Sequence, residues 1–110
     1  MSAEIRASRD VIVRTERWGE AMAFYGEVLG LAMTPAGDAL ARFETGAFAL
    51  YVERGSAHGP VFEFLVDDVA ATRDRLLAAG CTLVEEDASV PRCYLRDPFG
   101  LIFNLGRASA

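Results

Sequence analysis

Lysine is missing from this chain, and all eleven basic residues are arginine. That excludes Schiff-base catalysis and a phosphate-loop lysine. Histidine occurs once, at His58, and cysteine twice, at Cys81 and Cys93. Such a set makes no zinc motif, no CxxC pair and no disulfide framework, so both thiols are expected in or near the core. No apolar run approaches membrane-spanning length, and Met1 to Asp10 is polar, without a signal-peptide core. A cytoplasmic protein with no membrane partner is the expectation. Positive net charge is lacking too: the value is −5. This argues against nucleic acid as a partner and favours a neutral or cationic small molecule.

What is present is a chain of 110 residues, 52% apolar and 25% charged, enough for one domain with a real core. Residues 10 to 15 alternate as a half-buried strand. Trp18, Met22, Tyr25 and Leu29 recur at helical spacing, predicting a core-facing helix from Trp18 to Leu29 with Gly30 as its C-cap. Short strands are expected near Leu31–Thr34, Ala39–Glu44 and Ala47–Arg54, punctuated by Pro35-Ala-Gly37 and Thr45-Gly46. Gly55 to Pro60, with His58 exposed in it, reads as a linker. The pattern then restarts, with a strand at Val61–Val66 and a helix capped by Asp67 or Asp68 and closed by Gly80. Strands near Thr82–Glu86, Arg92–Arg96 and Leu101–Leu105 follow. The chain is thus β-α-β-β-β written twice, module one about 8–54 and module two about 61–106, within a single domain 1–110. Each half is too small to bury its own sheet face, so the modules must pair, within the chain or between chains.

Three segments carry a family resemblance. Phe24-Tyr25-Gly-Glu-Val-Leu-Gly30-Leu31, Phe64-Leu-Val-Asp-Asp-Val69 and Arg96-Asp97-Pro98-Phe99-Gly100 stand in the right order within the repeat. Together they resemble the vicinal-oxygen-chelate superfamily of glyoxalases, bleomycin-resistance proteins and dioxygenases, over about Asp10 to Gly106. The resemblance implies an α+β fold of two βαβββ modules whose mixed sheets form a cup. Paired modules of this family commonly close their sheets across subunits, so a homodimer is expected. Metal-dependent members take ligands from the first and last strands of each module. The matching positions here are Asp10, Leu50, Val61 and Asn104. Two of the four are hydrocarbon, and two oxygen donors make a poor divalent site. No metal and no other cofactor is expected.

Strand alternation assigns the ligand-facing side. It carries Asp10, Ile12 and Arg14, then Phe48, Leu50 and Val52, then Val61, Glu63 and Leu65, and finally Ile102 and Asn104. Phe62, Phe64 and Val66 are expected to turn toward the helix. Glu63 stands in an apolar strand, where its charge is costly unless paired or used. It either meets an arginine such as Arg14 or serves a ligand. Arg14 occupies the position of the anion-binding arginine that glutathione-dependent glyoxalases resemble one another in carrying, and is otherwise a rim charge. Tyr94 resembles the cavity tyrosine of fosfomycin-resistance members, or is an ordinary strand aromatic. The expected function is metal-free binding of a small cationic or neutral organic ligand, as in bleomycin-resistance members, with Asp10, Ile12, Arg14, Phe48, Leu50, Val61, Glu63, Tyr94, Ile102 and Asn104 as lining. The alternative is an isomerase or lyase of the superfamily in which Glu63 is the general base and Arg14 and Tyr94 stabilise an oxyanion.

Overall fold

The structure is a computed structural model that describes residues 5–108. In chain order its elements are β1 (Arg6–Ala7), β2 (Asp10–Thr15), α1 (Trp18–Ala23), a π-helical turn (Phe24–Val28), β3 (Ala32–Gly37), β4 (Leu40–Glu44), β5 (Ala49–Arg54), β6 (His58–Val66), α2 (Val69–Ala78), β7 (Thr82–Asp87), β8 (Arg92–Arg96) and β9 (Ile102–Arg107). The chain divides into two compact units, one of Arg9–Pro60 and one of Val61 onward together with the residues up to Ser8.

In the first unit the strand order is β3-β4-β5-β2, antiparallel except for the parallel pair β2–β5. Parallel neighbours need a crossover, and α1 supplies part of it. The helix presses Trp18, Ala21, Met22 and Tyr25 onto a core of Ala41, Phe43 and Val52, joined by Val13, Leu31 and Leu50. The Trp18 indole N–H donates to the Val52 carbonyl at 3.3 Å. The expected helix to Leu29 changes character at Phe24, where the Leu29 N–H reaches back five residues to the Phe24 carbonyl at 2.9 Å. A π turn takes more residues per revolution than an α turn. Leu29 therefore leaves the buried stripe and is exposed, contrary to its expected place on it.

The second unit repeats the arrangement, β6-β9-β8-β7 with β6–β9 parallel, and adds the unforeseen β1 antiparallel to β6. Here α2 covers Val66, Cys93, Leu95, Phe103 and Leu105, with Phe64, Val69, Leu76, Leu77 and Cys81 packed alongside. Asp68 caps the helix by accepting the Ala71 N–H at 3.0 Å. At the other end Gly80 adopts φ +112°, and the Cys81 N–H returns to the Leu76 carbonyl at 3.0 Å. Only glycine takes that conformation without strain, which makes it the helix stop. Both cysteines are free, and burial pushes the thiols of Cys81 and Cys93 up from their usual range.

Three local expectations are corrected. The linker is shorter than expected, because β6 begins at His58, which is half-buried; a residue before proline favours extended backbone, and Gly59-Pro60 continues the strand. Phe62 is exposed rather than core, at 41%. The largest correction concerns β5. Leu50 and Val52 pack under α1 with Phe43 and Ala41, their register partners, and do not face away from the helix. Phe48 lies in the preceding turn, exposed, its N–H bonded to the Thr45 hydroxyl. The reason is the length of the hairpin. Glu44 pairs with Ala49 in the first unit, whereas Arg96 pairs with Ile102 in the second, one residue further on. One turn closes from Thr45 to Phe48 and the other from Asp97 to Leu101, with the Asp97 carboxylate gathering the N–H groups of Phe99 and Leu101. A one-residue difference before a strand exchanges its faces. The counterpart of Asn104 is therefore Tyr51, not Leu50. Leu50 is partly buried, so truncating it to Ala should cost about 1–2 kcal/mol in urea unfolding, below the range of a fully buried leucine; no loss at all would argue against its packing under the helix.

Candidate functional site

On the face of the second sheet away from α2, register aligns four side chains across four strands: Glu63 of β6, Asn104 of β9, Tyr94 of β8 and Glu85 of β7. Val61, Leu65 and Ile102 share this face by alternation. Val61 and Tyr94 are buried, and Glu63, Asn104 and Ile102 half-buried. Asn104 is held from two sides. Its Oδ1 accepts the Cys93 backbone N–H at 2.8 Å and its Nδ2 donates to Glu63 Oε2 at 2.9 Å. An N–H donor on one side and a carboxylate on the other leave only one orientation for the amide. Within its unit Glu63 makes no ion pair among the described residues. Further along, Arg92 Nη1 donates to Glu85 at 2.7 Å and its guanidinium lies 5.1 Å over the Tyr94 ring.

The face of the first sheet away from α1 is charged and internally paired. It carries Asp10, Ile12 and Arg14 of β2, in register with Ala49, Tyr51 and Glu53 of β5, and then Leu40, Arg42 and Glu44 of β4. Arg14 meets Glu53 at 3.0 Å, with side chains 12% and 24% exposed. Arg14 is thus tied into an ion pair, which removes the main basis for reading it as a vacant anion binder. Arg42 bonds Glu44 at 3.0 Å, and its affinity for its proton is raised chiefly by hydrogen bonding to Tyr51. Glu44 is held below the usual carboxylate range first by the Gly46 N–H and then by Arg9. A cleft of about 470 Å³ opens beside α1, with Val13, Arg14, Arg17, Glu20, Phe24 and Tyr25 in its lining. Its arginines already have acidic partners, Arg14 in Glu53 and Arg17 in Glu20, so it offers no uncompensated charge.

Of the residues expected to line a site, the second unit brings Val61, Glu63, Tyr94, Ile102 and Asn104 to one face. The first unit does so for Asp10, Ile12 and Arg14, while Phe48 and Leu50 are displaced for the reason given above. Sequence reasoning missed Tyr51, Glu53 and Arg42. Unequal turn lengths, Thr45-Gly-Ala-Phe48 against Asp97-Pro-Phe-Gly-Leu101, were the available signal. It also missed Gly106, whose role depends on a contact that no spacing reveals.

A doubled βαβββ unit with a parallel pair in each half defines a class of proteins, and comparison places the chain within it. The model of the glyoxalase-like domain family matches residues 10–106. The chain belongs to this family, and so to the vicinal-oxygen-chelate superfamily. No curated protein matches it. Among solved structures it is similar to a hypothetical protein from Bacillus halodurans C-125, with TM-score 0.68 and 10% identity, covering 98% of this chain and 97% of the other. A glyoxalase/bleomycin resistance protein/dioxygenase superfamily member from Vibrio splendidus 12B01 gives 0.65 and 15%, covering 96% and 100%. A Mn(II)-bound glyoxalase from Novosphingobium aromaticivorans gives 0.58 and 23%, covering 94% of this chain but 40% of the other. At these identities the likeness establishes the fold alone.

A divalent metal of the kind the superfamily implies does not fit the donors present. Leu50 is turned into the helix-side core and Val61 is hydrocarbon. Asn104 Oδ1, the oxygen it would offer, already accepts a backbone N–H. Asp10 alone remains of the four positions, and hard cations need several oxygens. Protein purified without a polyhistidine tag and dialysed should carry well below one equivalent of zinc, nickel, manganese or iron. Near-stoichiometric metal in elemental analysis would contradict this.

Proposed function

We propose that the protein binds a small cationic or neutral organic molecule on its sheet face without a metal, and that Glu63 is the acceptor that recognises it. The observation that carries the reading is the state of Glu63, a half-buried carboxylate whose one hydrogen-bond partner among the described residues is the neutral amide of Asn104. Acids taken from water are normally matched to a cation or put to use. Val61, Leu65 and Ile102 supply apolar surface around it, the usual composition of a small-molecule site. The net charge of −5 favours the same ligands.

Two outcomes separate this role from a structural one. If Glu63 serves a ligand, Glu63→Gln leaves stability within about 1 kcal/mol of wild type, since no arginine is stranded in its unit. At the same time it abolishes retention of the small molecules that native mass spectrometry finds on the wild-type protein. A loss above about 2 kcal/mol with retention intact makes the acid structural. Conversion of the retained molecule to a product, seen as a new mass for a lyase or as a new chromatographic peak of equal mass for an isomerase, by wild type but not Glu63→Gln would instead favour the general-base reading.

We also propose a homodimer. Phe24, Val28, Leu29 and Met33 leave apolar surface exposed in the first unit, and exposed apolar patches commonly mark association surfaces. Sedimentation equilibrium at micromolar concentration should give twice the 11.9 kDa chain mass; a fit to monomer alone rejects it.

A further inference from the structure

Gly106 sits inside β9, where glycine weakens a strand and needs a reason. Backbone conformation is not that reason, because Gly106 is absent from the glycines with positive φ. Space is. A Cβ built on Gly106 would stand 2.6 Å from Glu63 Oε2 and 3.0 Å from its Cδ. Real Cβ atoms essentially never come that close, so a side chain here displaces the end of the flexible Glu63 side chain. Two residues earlier on the same strand, and so on the same face, Asn104 donates to the same Oε2 at 2.9 Å. The Asn104 amide cannot rotate away without giving up the Cys93 N–H. One carboxylate oxygen is therefore hydrogen-bonded by residue 104 and laid against the bare backbone of residue 106, while Oε1 takes no hydrogen bond among the described residues.

We infer that Asn104 and Gly106 form a seat that positions the Glu63 carboxylate so that Oε1 meets a protonated amine of the ligand, making these two the specificity-determining residues of the face. The inference rests on the reading of Glu63 as the ligand's acceptor and adds both the ligand class and the residues that enforce it. Both protein partners of the carboxylate are uncharged, so its negative charge is left for the ligand to neutralise. An ammonium group does so with a charge-assisted hydrogen bond, stronger than any a neutral donor makes. Any side chain at 106 has to push the carboxylate off its seat. Leucine at 104 removes the donor that turns Oε2 inward.

The test compares benzylammonium with benzyl alcohol, its neutral isostere, by ligand-observed NMR titration of the full chain. Wild type should prefer benzylammonium roughly tenfold, the scale of one charge-assisted bond over a neutral one. Glu63→Gln should erase the preference by weakening benzylammonium far more than benzyl alcohol. Gly106→Ala and Asn104→Leu should each cut the ratio severalfold, a readout that a purely structural role does not move because it weakens both probes alike. Wild type without a preference overturns the ligand class. A preference that survives Glu63→Gln overturns the role of Glu63 itself. A preference lost in Glu63→Gln but kept in both other variants overturns the seat alone. A second measurement needs no ligand: Gly106→Ala should change Tm less favourably in wild type than in Glu63→Ala, where the close approach is gone. Equal shifts in the two backgrounds show that the close approach does not govern this site.

Discussion

A strand sends alternate side chains to opposite faces, so the turn before it decides which residues meet the helix and which turn away. In this protein everything about the candidate site follows from that parity. The second hairpin, ending at Leu101, places Asn104 on the face bearing Glu63 and leaves Phe103 and Leu105 for the core. The first hairpin, one residue shorter between paired strands, gives its core Leu50 and Val52 and its far face Tyr51 and Glu53. Two halves of one architecture thereby present different chemistry. One is a charged face whose arginines are matched to acids; the other holds an acid matched, among the described residues, by an amide alone.

Much of this was legible in the residues. The doubled βαβββ order and the β2 and β8 boundaries follow from alternation and turn residues, and an α2 cap at Asp67 or Asp68 from the preference of an aspartate for free N–H groups, the structure choosing Asp68. Alternation also put Glu63 and Asn104 on one face, whereas Tyr94 was placed there only by the family resemblance. What failed were arguments carried across the repeat. Counting four positions after Gly46 and Gly100 treats two turns as equal, but Thr45 closes its turn through its hydroxyl, and Asp97 gathers two N–H groups around a wider one. The π turn at Phe24 was equally invisible, since no residue type demands it. Leu29 left the helical stripe with no change in apolar periodicity to announce it.

Chemistry without lysine also explains the character of the first unit's far face. A guanidinium offers several donors in a fixed plane and keeps its charge. Arg42 can therefore address Glu44 while interacting with Tyr51, and Arg9 can bind Glu44 together with the carbonyls of Gly46 and Ala47. Most of these groups are solvent-accessible, so their contribution to stability is small individually. Their effect is to fix the hairpin whose length sets the parity of β5.

Trp18, the sole tryptophan, belongs to the first unit, anchored on Val52 with Arg54 stacked 5.2 Å above its ring. Of the three tyrosines, Tyr25 and Tyr51 are also there, and Tyr94 alone is in the second. Intrinsic emission excited at the red edge of the indole band thus watches one half of the molecule directly. Should the halves melt separately, such a trace would follow only the first, and the half bearing Glu63 would lose its order with little optical sign.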